Sequence, residues 1–135
     1  MGIFTWNSSF VVGVDMIDQQ HRVLVSKIDL LYDALVSQER SLNIKQLLDD
    51  IVDYTNLHFR AEEELMIRSG YPELKDHLSR HHKFEQKIHI FQQQEQEGIK
   101  IEMDVFDYLQ DWLIEHILVI DKKFADFVQK SKIDI

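Results

Sequence analysis

Imidazole is the principal soft donor this chain can offer a metal. Seven histidines occur in 135 residues without one cysteine, which excludes disulfides, thiolate zinc sites and iron–sulfur clusters. His77 and His81 are four residues apart, a spacing that on a helix stacks both rings on one face, one turn apart, as bidentate coordination needs. His58 and Glu62 repeat that geometry, while His21 and His116 stand alone. Imidazole suits iron, zinc and copper. Added carboxylate moves the balance toward iron, although manganese or zinc would also be accepted by such ligands. These six donors are too many for one tetrahedral zinc. Two metals sharing carboxylate bridges account for the number better.

Such donors matter only if the fold brings them to one point. Apolar residues recur at three and four, the period of a helix packed on one face. The few breakers, Gly70 and Pro72 in RSGYPE and Gly98 after QQQEQE, punctuate that pattern. The first helix is predicted over 19–37 with Asp18 as N-cap, the second over 44–67, the third from about Pro72 at a first helical position, and the fourth over 101–130. His21, His58, Glu62, His77, His81 and His116 all fall on the interior stripes of these helices. One core histidine is ordinarily a hydrogen-bonded packing residue. Five imidazoles and a carboxylate spread over four helices instead imply one shared centre, because an unpaired interior carboxylate costs several kcal/mol. His82, about 100° round the helix from His81, and His89 read as surface residues.

A second carboxylate is expected near His116. Asp121 is the candidate, but at i+5 it lies about 140° around an α-helix from His116. Either the two reach a site from its two flanks, or the helix widens locally to bring them together. On spacing alone a capping or surface role for Asp121 is equally open.

The expected fold is all-α: an up-down-up-down antiparallel four-helix bundle with an N-terminal arm, the arm at 1–17 and the bundle at 18–130 of a single 1–135 domain. The arm carries Trp6, Phe10 and Val14. A formal net charge of −9 makes nucleic acid and anionic membranes poor partners. No apolar run approaches the roughly 18 residues of a membrane span, and the opening MGIFTWNSSF lacks the basic start of a signal peptide, so a cytoplasmic location is expected.

The strings DQQH, HFRAE, HLSRH and HILVID, taken together, resemble the hemerythrin family, in particular its bacterial single-domain members. FTW in the arm, Tyr71-Pro72 before the third helix and Trp112-Leu113 before the last of the six stripe positions extend the likeness over nearly the whole chain. The resemblance implies that His77, His81 and His116 hold one iron and His21 and His58 the other. Glu62 and Asp121 would bridge two irons that cycle between Fe2+ and Fe3+ with an oxo or hydroxo bridge. The iron with two imidazoles would keep an open position for dioxygen. Phe59, Trp112, Leu113 and Ile117 would line the oxygen pocket, a role compatible with plain core packing.

Asp18, Glu63 and Glu115 are close enough in sequence to accept the outer N–H of a ligand ring, though solvated surface is the ordinary place for each. Glu115 occupies a place where relatives often have Asn. The implied function is reversible dioxygen binding for storage, delivery or buffering, by a binding protein rather than an enzyme, with its protein client unknown. An oxygen or redox sensor acting through a separate partner, or a di-iron enzyme handling peroxide or nitric oxide, are the alternatives. Carboxylate-rich di-iron oxidases typically carry Glu-x-x-His, and none of the seven histidines here has Glu three residues before it.

Overall fold

The structure, a computed structural model, describes residues 8–36 and 44–130. A short 3-10 turn, Ser8–Phe10, precedes α1 (Asp15–Val36), α2 (Ile44–Ser69) and α3 (Leu74–Gln96). The fourth rod is continuous but not uniform: α4 (Glu102–Glu115) passes into a π-helical stretch, His116–Asp121, and continues as α5 (Lys122–Lys130). Helix α1 packs against α2 and the fourth rod, and α2 packs against α3, giving the antiparallel four-helix bundle. No helix among the described residues is long and apolar enough to cross a membrane.

The predicted stripes become the core. On α1, Ile17, His21, Leu24, Val25, Ile28, Leu31 and Ala34 are buried; on α3 the buried set is His77, His81, Phe84, Ile88 and Phe91. His21 and His77 lie early in α1 and α3, whereas His58 lies just past the middle of α2 and His116 at the middle of the fourth rod, with Glu62 and Asp121 further on in each. Alternating helix direction therefore carries all four to the same end of the bundle. The other end, where Leu31, Leu48, Phe91 and Phe106 are buried, is apolar. The site is thus polar inside a shell that remains close-packed hydrocarbon.

The breakers act as predicted at two points. Gly70, at φ +71°, follows α2, with its amide donating to the Ile67 carbonyl and that of Tyr71 to Met66. Gly98, at φ +83°, ends α3 the same way, with its own amide on Glu95 and that of Ile99 on Gln94. Both are Schellman closures, which need a left-handed residue that glycine adopts without a Cβ penalty. Pro72 departs from expectation: it lies in the turn, and α3 begins two residues later at Leu74.

Asp18 departs too. Helix α1 starts earlier, at Asp15, so Asp18 sits in its first turn and not at the cap. There its carboxylate accepts from the backbone amides of Val12, 2.7 Å, and Gly13, 3.1 Å. This ties down the preceding segment, whose Phe10, Val12 and Val14 are buried. Gly13, at φ +97°, is held from the other side by Gln129, which donates to its carbonyl at 3.0 Å. Part of the expected arm is therefore ordered against the bundle; Trp6 and Ser37 lie outside the described residues. Asp18→Ala should cost about 1–3 kcal/mol by leaving two amides without their acceptor. A urea midpoint lowered in that variant, and partly recovered in Asp18→Asn, would check this; an unchanged midpoint would refute it.

Candidate metal centre

Each of the four rods contributes to one buried cluster. His21, His58, Glu62, His81 and Asp121 are wholly inaccessible, and His77 and His116 are only 2% exposed. The Glu62 Oε1 atom lies 2.7 Å from His77 Nε2, 3.1 Å from His81 Nε2 and 3.7 Å from His116 Nε2. Its other oxygen faces His58 Nε2 at 3.5 Å. Asp121 Oδ2 is 2.5 Å from His21 Nε2, 3.3 Å from His58 Nε2 and 2.9 Å from His116 Nε2, while Oδ1 is 3.2 Å from His77 Nε2. All five rings thus direct Nε2 inward, onto two carboxylates placed between them.

Asp121 reaches this cluster because of the π stretch. Six residues from His116 to Asp121 take the wider winding, whose i→i+5 hydrogen bonds bring residue i+5 round over residue i. The spacing that separates His116 and Asp121 on an α-helix puts them on one face here. Of the two arrangements open to the sequence, local widening is the one adopted.

Hydrogen bonds link some of the donors, His21 and His58 to Asp121 and His81 to Glu62, but they do not satisfy the whole set. Glu62 Oε2, His77 Nε2, His116 Nε2 and Asp121 Oδ1 are buried without a hydrogen-bond partner, although several lie within 3.5 Å of another donor. For these four atoms the separations are short but no hydrogen bond forms, which leaves them free to bind an ion between them. Ligands bound at about 2.0–2.2 Å to a shared ion naturally stand about 3 Å apart when at right angles. The ligating atoms of His21, His58, Glu62, His116 and Asp121 lie within 4.8 Å of one another, as do those of Glu62, His77, His81 and His116. Glu62 and His116 belong to both groups, so the cluster has room for two adjacent ions.

Without metal, protons must balance the carboxylates. Burial disfavours charge on His77, yet the adjacent Asp121 and Glu62 carboxylates outweigh it and lift its pKa to about 10. Burial is likewise outweighed at His58, which Glu62 and Asp121 push up. At His116 burial prevails and holds the imidazole below its usual value. Burial favours protonation of Asp121 as well, but His116 and His21 hold its carboxyl well below the ordinary range. Imidazolium in this cluster therefore stands in for the cation.

Outer partners orient two rings. His58 Nδ1 donates to Gln20 Oε1 at 2.7 Å, and His81 Nδ1 donates to Glu63 Oε2 at 2.8 Å. With the proton held on Nδ1, the neutral ring presents a bare Nε2 to the centre. Of the three acidic candidates for this role, Glu63 takes it. Asp18 instead binds backbone amides, and Glu115 is exposed and paired with Arg80 at 3.3 Å. Gln20 is the partner that sequence reasoning missed; only its place beside His21 in DQQH hinted at it.

Aromatic rings pack the ligands from outside. Phe59 stacks on His81 at 3.7 Å and 7°, and Trp112 on His116 at 4.5 Å and 14°. Leu113 and Ile117 are fully buried beside His116 on the same rod. His82 and His89 are exposed, as expected.

The chain is similar to proteins already known. A bacteriohemerythrin of Stenotrophomonas maltophilia is 34% identical over 129 residues, covering 96% of this chain and 84% of that protein. A hemerythrin-like protein of Naegleria gruberi is 34% identical over 122 residues, 90% of each chain. A crystal structure of wild-type hemerythrin matches the fold with a TM-score of 0.84 at 27% identity, covering 93% of this chain and 98% of that one. The profile of the hemerythrin HHE cation binding domain spans residues 12–128, from the segment tied down by Asp18 to the end of the core on α5, and on that match this chain belongs to the hemerythrin family.

Proposed function

We propose that this protein binds dioxygen reversibly at two iron ions held by His21, His58, Glu62, His77, His81, His116 and Asp121. The observation that carries the reading is the division of the carboxylate oxygens. Glu62 turns one oxygen to His77, His81 and His116 and the other to His58, as a bridging ligand would. Asp121 spans the same gap, with Oδ1 toward His77 and Oδ2 toward His21, His58 and His116. His77, His81 and His116 would hold one ion, and His21 and His58 the other. The second ion would have one imidazole fewer, which would leave a position for dioxygen on that side.

When bound, an iron pair cycling between Fe2+ and Fe3+ across an oxo or hydroxo bridge supplies the two electrons that dioxygen binding draws on. The protein's own contribution is orientation and dryness. Gln20 and Glu63 hold the rings of His58 and His81 with Nε2 facing inward. Phe59 and Trp112 clamp ligand rings by stacking. With Leu113 and Ile117 they form an apolar wall that limits the water reaching the ligand rings, as binding without turnover requires. Storage, delivery or buffering of dioxygen follows from this reading, and it favours a binding protein over an enzyme.

Three measurements bear on it. Reduced, iron-loaded protein cycled between air and argon should gain and lose a ligand-to-iron charge-transfer band; oxidation without a reversible band would sink the proposal. Glu62→Ala should lose the paired centre and drop metal content from two ions per chain to one or none, whereas His82→Ala should keep both. Loading by a divalent ion should release protons, because coordination requires neutral imidazole. Metal affinity should therefore climb with pH, by up to about tenfold per unit for each proton displaced, and flatten above about 10, where His77 is already neutral. An affinity independent of pH would contradict this.

A further inference from the structure

A centre this deeply enclosed needs a way in for its ions, and one cleft has the chemistry to provide it. A cavity of about 150 Å³ is lined by Tyr71, Glu73, Asp76, His77, Arg80, Val119, Ile120 and Lys123. That volume holds several waters at about 30 Å³ of liquid each. Its outer part carries two carboxylates, Glu73 and Asp76, at the start of α3. Its wall on the other side is Val119 and Ile120 of the π stretch, the same widening that delivers Asp121.

The inner end is marked by a second, independent feature. His77 borders the cavity, is only 2% exposed, and its Nδ1 has no hydrogen-bond partner. The rings of His58 and His81 have their Nδ1 anchored by Gln20 and Glu63; His77 has no such protein anchor. His21 Nδ1 is unpartnered too, but that residue does not line this cleft. The Nε2 of His77 meanwhile lies 2.7 Å from Glu62. One residue thus both borders the cleft and reaches the bridging carboxylate, with its Nδ1 unanchored.

The outer carboxylates are latched but not locked. Lys123 pairs with Glu73 at 2.6 Å, both side chains being about half exposed, and Arg80 pairs with Asp76 at 3.1 Å. Solvent-exposed pairs of this kind contribute about 0–1 kcal/mol, so a hydrated cation can displace either partner. A neighbouring cleft of about 200 Å³ also reaches a ligand, His116, but Arg80 and Lys83 face it against the single carboxylate of Glu115. That balance disfavours a cation.

We propose that the cleft between the start of α3 and the π stretch is the loading route for divalent metal, with Glu73 and Asp76 collecting the hydrated ion and His77 passing it to Glu62. The route rests on the ligand assignment above. Metal-free full-length chain, its helicity checked by circular dichroism, is mixed with Co2+ and uptake followed by the ligand-field absorbance. Glu73→Gln combined with Asp76→Asn should reach the wild-type stoichiometry and final spectrum. Uptake should be slower by roughly an order of magnitude at low salt, the difference shrinking as salt is added.

Lys123→Gln should load faster than wild type. Asp50→Asn, at an exposed pair between α2 and Lys27 of α1, should load at the wild-type rate. Wild-type kinetics in the double variant, or equal slowing by Asp50→Asn, would overturn the route while leaving the centre intact. Failure of the wild-type core to take up Co2+ at all would overturn the ligand assignment and the route with it.

Discussion

Two carboxylates with no access to water govern this structure. Glu62 and Asp121 are both fully buried, and moving an ionised carboxylate from water into a protein interior costs several kcal/mol even after relaxation. Among the described residues, the ion pairs made to either of them are all with histidine and none with lysine or arginine. Imidazole can balance them only by holding protons, and cations can balance them only by displacing those protons. The interior of the bundle is therefore arranged for an exchange of protons for metal, and stability and function are linked through the same seven side chains.

The constraint reaches into the backbone. An unbroken α-helix would send His116 and Asp121 to different faces. The π stretch resolves this at the cost of less regular backbone hydrogen bonding across six residues. It also leaves Val119 and Leu118 outside and Ile117 and Asp121 inside, so one distortion serves ligand placement, core packing and the wall of the neighbouring cleft.

Around the donors the support is uneven. His58 and His81 are fixed by hydrogen bonds from Nδ1, and His81 and His116 by stacked aromatic rings. His77 has Tyr71 and Phe124 edge-on at 6.3 Å and His81 edge-on at 4.7 Å, but no partner at Nδ1. Rings held at their outer side set the geometry of the centre. The ring of His77, packed but without a partner at Nδ1, borders the cleft that carries two carboxylates, and the stacked ring of His116 borders the cleft that carries one.

The helices, their interior stripes and the gathering of His21, His58, Glu62, His77, His81 and His116 at one point were legible in the sequence. Each follows from a period of 3.6 and from the cost of burying a charge alone, and both are local or compositional facts. That α2 and α3 stop near Gly70 and Gly98 was legible from the glycines themselves, while the Schellman bonding that closes both helices is seen only in the structure. For Asp121 the spacing left two routes open, from the flanks or through a local widening, and only the packed structure selected the widening. Asp18 as an anchor for Val12 and Gly13, Glu63 and Gln20 as partners of ligand rings, and Pro72 outside α3 likewise depended on which groups tertiary packing set within hydrogen-bond reach. Periodicity determines which face of a helix turns inward; only the packed bundle determines what that face meets.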